Sequence, residues 1–362
     1  MPIPVPPYPT STYILDARLT WLNRAATGDM WPQTWAADGR LYAGAGDNQP
    51  SPDLPWSPMN VWRTGGDDPR DPRPEIVNNL PVDPARYTGR PGVARNLGLK
   101  PAGLVHIGGV LYMAVQNMNY GDHPPFNRQH NLNGWIVTSR DLGKTWDCDA
   151  TQQDFFTGRL SSCHFLQAGR GDGNVVDGYL YAYFPCGQDT DESWWCNNDR
   201  MLLGRVRPSR ILERNSWQFF AGLDAHGAPA FHGPFVAPEP VFSYPRFCGE
   251  NHVSYNPHIR RYILANYAFY HPVTGEPRPY HTLPERGYLT QLSLYESEHP
   301  WGPWRVFLRD DDWLIGGYQP TFPVKWMAED GRSMALLGSG NYKDGVSDYC
   351  FLTQGVEYEL AR

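Results

Sequence analysis

Two carboxylates near the start of the chain carry the pattern most suggestive of chemistry. Asp29 and Asp47 flank Trp35 to Ala43, where an Asp38-Gly39 pair separates two apolar runs. An Asp-Gly pair in that setting is a strong hairpin signal. A hairpin brings its open ends together, so Asp29 and Asp47 are expected at the same end of one sheet. Two acids held side by side are what acid/base cleavage of a glycosidic bond requires. Asp is also favoured at strand ends for its turn geometry alone. Glu250 is a third candidate: it could tune a pKa, orient a hydroxyl, or act as base. Burial beside Trp31 and Trp35 would favour a protonated member of the pair. The gap between the carboxylates would decide whether configuration is retained or inverted.

The elements that must position these acids recur along the chain. Hairpin turns are read at Gly39, Gly109, Gly178, near Arg260 and at Gly331. Their spacing of roughly 70 to 80 residues marks an array of similar units. Each hairpin is followed by a second apolar segment: Asn60 to Arg63, Gly134 to Ser139, Met201 to Val206, Leu289 to Tyr295 and Tyr349 to Val356. Two hairpins make a four-stranded unit, and five units make a closed ring. The predicted fold is therefore an all-β, five-bladed β-propeller, a single domain with long loops over its active face. Residues 1–12 form a Pro-rich, extended N-terminal segment, and residues 13–362 form the propeller. Tyr13 to Trp21 is expected to complete the last blade. The outer half of the first blade reads as weak, with a long polar loop from Gly65 to Arg95. The string S-R-D-L-G-K-T-W, Ser139 to Trp146, resembles the Asp-box of sialidases and related propellers, an outer hairpin turn.

In every unit, the start of the first strand and the end of the second face the same end of the ring. Reading those positions across the units collects Lys100, Gln116, Asn117, Ser162, His164, Cys186, Asn251, His252, Tyr267, Gln319, Ser339 and Asn341 around the three acids. Polar groups converging on an axial funnel make a small-molecule site. Trp31, Lys100, Gln116, Asn117, His164, His252, Tyr267, Gln319 and Asn341 are the expected substrate contacts. Trp56, Trp62, Trp194 and Trp195 lie in loops, where an aromatic face can stack on sugars or pack between neighbouring loops. His252 with Tyr255, Tyr267 and Lys100 or Arg246 would instead suit a uronate lyase, whose His or Tyr abstracts a proton α to a carboxyl. Other histidines lack metal-ligand spacing, so no metal site is expected, although a propeller axis has room for a calcium ion. No G-x-S-x-G elbow or phosphate-cradling Gly loop is present.

Composition narrows the partners. The chain has 362 residues, of which 19% are charged and 14% aromatic, and its 36 Gly and 35 Pro are spread throughout. That distribution fits many short strands and turns. A formal net charge of −7 argues against a nucleic-acid partner. No apolar run approaches the roughly 20 residues needed to span a bilayer, so no membrane role is expected. The N-terminus lacks signal-peptide features, which leaves a secreted protein with its signal removed or a cytoplasmic one. Oligomeric state is left open. None of the six cysteines forms a C-x-x-C pair. Cys186 and Cys196 are the expected pair if any disulfide forms, and six free thiols are equally ordinary.

Six runs extend the reading to a family. They are W-P-Q-T-W-A-A-D-G-R-L-Y with its trailing G-D, K-P-A-G-L-V-H-I-G-G-V-L-Y, F-F-A-G-L-D-A-H-G, V-S-Y-N-P-H-I-R-R-Y, E-S-E-H-P-W-G-P-W and F-P-V-K-W-M-A-E-D-G-R. In this order they resemble a family of bacterial five-bladed propellers, part of which is similar to glycoside hydrolase family 183, the endo-D-arabinanases that cut mycobacterial-type arabinan. The resemblance covers nearly the whole chain after about residue 20. It implies a glycan substrate, plausibly an α-D-arabinofuranoside, and maps the family's paired aspartates onto Asp29 and Asp47. A carbohydrate-binding propeller without turnover is the non-enzymatic alternative.

Overall fold

A computed structural model of the chain describes residues 3–81, 98–118, 130–188, 191–277, 288–313, 317–340, 342–343, 346–347 and 349–362. The described strands form five antiparallel sheets of four or more strands, plus the small hairpin Tyr342–Lys343 with Val346–Ser347. Blade 1 runs outward from Asp29–Trp35 through Leu41–Gly46 and Asn60–Thr64 to Pro74–Asn79. Blade 2 runs from Leu99–Ile107 through Val110–Met118 to His130–Ser139, whose outer edge takes Phe156–Thr157 and Ser193–Trp194. Blade 3 runs from His164–Phe165 through Leu180–Cys186, Asn198–Val206 and Gln218–Leu223 to Pro229–His232, with Pro240–Cys248 also paired to Asn198–Val206. Blade 4 comprises His252–Asn256, Arg261–Tyr270, Leu289–Ser297 and Arg305–Asp310. Blade 5 comprises Tyr318–Thr321, Ser333–Ser339, Cys350–Leu360 and the N-terminal strand Ile14–Thr27.

The innermost strands pack one against the next around the ring, from Asp29–Trp35 back to itself. The chain is a five-bladed β-propeller. Closure comes from Ile14–Thr27, which pairs along Cys350–Leu360 from Ile14 opposite Leu360 to Thr27 opposite Cys350. The first strand thus completes the last blade, as expected, and is longer than the sequence indicated. The Pro-rich segment before it is also docked. Tyr8 stacks on Phe242 at 4.9 Å, and Val306 exchanges backbone hydrogen bonds with Pro9 and Ser11.

All five turn positions read from the sequence lie in the left-handed region: φ is 87° at Gly39, 75° at Gly109, 77° at Gly178, 53° at Arg260 and 65° at Gly331. Tight hairpins need positive φ, and glycine supplies it without a steric penalty. Blade 1 departs from expectation. Part of the loop read from Gly65 to Arg95 is the strand Pro74–Asn79, because Ile76 and Val77 pack into cores on its two sides while Glu75 pairs with Arg63 at 3.1 Å. Helical turns are short 3-10 segments such as Gly171–Asn174 and Val324–Trp326. No helix among the described residues is long and apolar enough to cross a membrane.

The apolar cores lie between blades. One gathers Val61, Leu104, Trp135, Phe156 and Trp217, another Tyr183, Phe242, Leu264 and Trp304, and a third Leu294, Trp313, Phe322 and Leu352. The middle strands are therefore buried on both faces, which explains their near-continuous apolar runs. All six cysteines are free thiols, so the expected Cys186–Cys196 pair does not form. Five of them are buried, where they pack as small apolar groups.

The turn Ser139 to Trp146 is held by Asp141. Its carboxylate accepts from Ser139 Oγ at 2.9 Å and from the Thr145 hydroxyl at 2.6 Å and amide at 2.9 Å. The Trp146 indole closes the loop onto the Gly143 carbonyl at 3.1 Å. The Thr145 hydrogen bonds lower the Asp141 pKa from 3.8 to about 2. A depressed carboxylate contributes stability above its unfolded pKa and loses it as the pH falls through the folded one. Asp141→Ala should therefore lower the urea midpoint at neutral pH by a margin that shrinks between pH 3.8 and about 2. A margin independent of pH would show that the carboxylate charge is not what the turn uses.

Candidate active site

Asp29 opens the inner strand of blade 1 and lies opposite Gly46. Asp47 follows Gly46 directly. The hairpin thus delivers both acids to one end of the ring, as its sequence indicated. Three backbone features make this geometry. A bulge between Met30 and Gln33 puts Met30 at φ 79° and Trp31 at φ 64°. Asp47 adopts φ 50°, a conformation that Asp tolerates better than most residues. Gly46 is small because a Cβ there would lie 2.7 Å from both Asp29 Oδ1 and the Pro58 carbonyl.

Between the two acids stands Lys100, on the inner strand of blade 2. Its Nζ is 2.5 Å from Asp47 Oδ2 and 3.7 Å from Asp29 Oδ1, with a side chain only 4% exposed. The nearer oxygens of the two carboxylates therefore cannot be farther apart than the sum of those distances, about 6.2 Å. Tyr318, from blade 5, donates its hydroxyl to Asp29 Oδ2 at 3.2 Å. Burial, with Asp29 beside it, drives the Tyr318 pKa well above its ordinary value, so the phenol stays a donor. Four groups from three blades thus meet at one mouth.

Lys100 is paired in register with Gln116, so the two side chains sit on the same face of blade 2. Gln116 leads to Glu250, which is fully buried. Glu250 Oε1 is 3.1 Å from Asn131 Nδ2 and 3.0 Å from Ser162 Oγ; Oε2 accepts from Gln116 Nε2 at 3.1 Å and from Gln319 Nε2. Partners from blades 2, 3 and 5 occupy the carboxyl group, which itself precedes the inner strand of blade 4. Glu250, expected among the catalytic acids, is therefore the hub of the ring, with its lone-pair positions filled by protein groups. Burial raises its pKa from 4.5 to about 8, against the opposing effect of those hydrogen bonds. The proton count agrees. Ser162 has one hydroxyl proton for two acceptors, Gln116 Oε1 at 2.6 Å and Glu250 Oε1 at 3.0 Å. A protonated Glu250 relieves that shortage.

Beneath the hub, His164 and His252 meet edge to face at 4.8 Å. Desolvation lowers the His252 pKa to about 4 and takes His164 well below its usual range, so both rings are neutral near pH 7. Both were expected to hold substrate, and both instead line the buried axis. Gln319, at φ 53° beside a bulge, is aimed at Glu250. Asn117 lies one residue beyond Gln116 and donates to Asn133 at 3.0 Å, away from the hub.

Several expected contacts are corrected. Trp31 is fully buried, wedged between Trp62 and Phe351 at 5.9 and 4.9 Å, because the bulge turns it into the core between blades 5 and 1. Tyr267 is fully buried and gives its hydroxyl to the Trp195 carbonyl at 2.8 Å. Of the four tryptophans expected in loops, Trp62 and Trp194 lie on the strands Asn60–Thr64 and Ser193–Trp194, and Trp62, Trp194 and Trp195 are buried, while Trp56 is exposed. Asn341 lies outside the described residues. Tyr318 escaped the sequence reading although it precedes Gln319 at the start of an inner strand, the position from which the other candidates were taken. Asn131 escaped because it sits on a third strand.

Buried acceptors around the axis without a partner include Gln33 Oε1, Asn131 Oδ1, Asn251 Oδ1 and Ser254 Oγ. Calcium takes six to eight oxygen ligands, typically including carboxylates, and Glu250 is already engaged. Among the described residues, no group of three His, Cys, Asp or Glu could hold a metal ion. Neutral acceptors of this kind fit bound water, which satisfies two to four polar groups at once.

No protein-family model matches the chain, and no curated protein sequence matches it. Solved structures do match in fold. A Bacteroides ovatus protein assigned provisionally as a hydrolase aligns with TM-score 0.52 and 10% identity, covering 92% of this chain and 87% of that one. A xylan β-1,4-xylosidase from Bacillus halodurans aligns at 0.50 and 10%, covering 92% of this chain and 53% of that one. A GH43_1 enzyme from Xanthomonas citri, solved with xylotriose, aligns at 0.50 and 12%, covering 95% and 92%. At these identities the agreement is one of fold.

The hub has a measurable signature. A carboxyl whose pKa rises from 4.5 unfolded to about 8 folded favours the native state below pH 4.5, and that contribution falls away as the pH rises to about 8. Urea midpoints measured across this window should decline for the unmodified protein and flatten in Glu250→Gln. Glu250→Ala, which strands several buried donors, should cost at least about 3 kcal/mol. Parallel slopes for the unmodified protein and Glu250→Gln would contradict a protonated hub.

Proposed function

We propose that this propeller is a glycoside hydrolase that cleaves a glycosidic bond in a polysaccharide or oligosaccharide, with an α-D-arabinofuranoside as its substrate class. The observation that carries the reading is the meeting of Asp29 and Asp47 at one mouth, both within reach of a single buried ammonium. In such a pair, one carboxylic acid protonates the leaving oxygen while the other, as carboxylate, activates water or attacks the anomeric carbon. Lys100 restrains the two acids, and the Tyr318 hydroxyl orients Asp29. The xylan β-1,4-xylosidase among the structures of like fold supports the class. The arabinofuranoside rests on the family resemblance of the sequence runs.

The geometry favours hydrolysis over a uronate lyase. A lyase needs a His or Tyr base at the substrate. Here the Tyr267 hydroxyl is held by a backbone carbonyl, and His252 lies in the buried axis.

The test is a panel of D-arabinan, other furanosides and uronic-acid polymers, read by reducing ends and by near-ultraviolet absorbance. Reducing ends should appear from a furanoside without the absorbance of an unsaturated product. Asp29→Asn and Asp47→Asn should each lower kcat/KM at least about 100-fold. Full activity in both variants would refute the site, and binding without turnover would make the protein a carbohydrate-binding propeller.

A further inference from the structure

The seam where blade 5 meets blade 1 holds a cavity at the end of the ring away from the acid pair. One wall is the connection between Asn60–Thr64 and Pro74–Asn79, which leaves blade 1 and reaches across to blade 5. Gly65 and Gly66 donate to the Arg73 and Pro72 carbonyls at 2.9 and 3.1 Å, so the connection is a narrow loop with its tip at Asp67 to Asp71. Hydrogen bonds from blade 5 pin that tip. Asn23 donates to the Arg70 carbonyl at 3.1 Å, Thr353 to the Pro69 carbonyl at 2.8 Å and Lys325 to the Asp67 carboxylate at 2.6 Å. Lys325 also donates to the Gly39 carbonyl at 2.6 Å, at the turn of the hairpin whose open end carries Asp29 and Asp47. The space between the tip and blade 5 is about 320 Å³, within the range of small-molecule sites.

The lining is apolar below and polar above. Met327, Met334, Ala335 and Val356 form a buried floor. Trp21 is partly buried at one side, with the Arg70 guanidinium 5.5 Å from its ring. Charge on the lining cancels. Asp67 is paired with Lys325 and Glu357 with Arg18, each at 2.6 Å. That leaves one carboxylate, Asp68, and one guanidinium, Arg70; among the described residues neither has an ion-pair partner. The Trp326 indole N–H and the Thr20 hydroxyl beside them also have no hydrogen-bond partner among the described residues. A cation or an anion would upset this balance. A sugar ring suits it, with carbon-bound hydrogens for the methionine and tryptophan surface and hydroxyl groups that accept from Arg70 and donate to Asp68.

We infer that this seam cavity is a second glycan-binding site, which takes one or two sugar units at the end of the ring opposite the acids. The inference goes beyond the glycosidase reading, because the cavity shares no residue with the mouth.

The experiment titrates Asp47→Asn protein, isotopically labelled at its tryptophans, with arabino-oligosaccharides, xylo-oligosaccharides and inorganic phosphate, and follows the indole N–H resonances. The Trp21 and Trp326 signals are assigned by their loss in Trp21→Phe and Trp326→Phe. Both should shift saturably with an oligosaccharide and stay in place with phosphate. Arg70→Ala should weaken the binding about tenfold, as removal of a charge-assisted hydrogen bond does. Its thermal midpoint should hold, because the tip is pinned through the Arg70 carbonyl and not its side chain. No shift with any oligosaccharide, shifts with phosphate alone, or a titration unchanged by Arg70→Ala would overturn the inference. Shifts in a protein that cleaves none of the glycans offered would sink the hydrolase reading alone, and cleavage without shifts would sink this inference alone.

Discussion

Four side chains from three blades close around the carboxyl group of Glu250, which enters from a fourth. A ring of five sheets leaves a channel at its centre, and that channel cannot be filled with apolar side chains while it also opens onto a polar site. The inner strands instead present Gln33, His164, His252, Ser254, Gln319 and Thr321, joined by Gln116 from a second strand and Ser162 from the segment before an inner strand, and these groups must satisfy one another. A buried polar network is favourable only when its members are bonded, because each unpaired group costs about 1–3 kcal/mol. Glu250 can meet several such demands at once, and a carboxyl can do so with one proton fewer or more. The blades are glued by apolar cores between sheets, but the relative setting of their inner strands depends on this acid.

The hub also fixes the mouth. Gln116 is bonded to Glu250 on one side and neighbours Lys100 across the strand pair on the other. Lys100 touches Asp47 and Asp29, and Asp29 takes the Tyr318 hydroxyl. Tyr318 is adjacent to Gln319, which returns to Glu250. The chain of contacts is therefore a loop through blades 1, 2, 4 and 5. Four of the left-handed residues lie on or beside it: Met30, Trp31, Asp47 and Gln319. Such conformations cost of order 1–3 kcal/mol each and persist where the surroundings over-determine them. A closed loop of buried contacts is the kind of surrounding that can hold them.

The turns, the repeat and the ring closure were legible because they are local. Glycine at a hairpin turn and an apolar run on each side can be read without knowing what packs against them, and the pairing of the first strand with the last follows from five incomplete units. The acid pair was legible for the same reason, since a two-strand hairpin fixes both ends. What was illegible depends on the third dimension. Period-two alternation does not foresee the bulge that sends Trp31 into the core between blades. Exposure of a tryptophan cannot be read from its sequence neighbours, and Trp62, Trp194 and Trp195 are buried where Trp56 is not. The role of Glu250 was hidden most deeply, because Gln116 and Asn131 lie 134 and 119 positions away in the chain.

Charge at the mouth bears on the substrate proposed above. Among the described residues, Asp29, Asp47 and Lys100 meet there, two potential negative charges against one positive. Two like charges 4 Å apart at a surface-like effective dielectric repel by about 4 kcal/mol. A uronate carboxyl entering this site would meet that repulsion with the one ammonium already engaged, at 2.5 Å from Asp47. A neutral furanoside brings hydroxyl groups, which can donate to the carboxylates and need no counter-ion. On the proposed reading, the two acids would thus disfavour an acidic substrate, because the one ammonium beside them is already engaged.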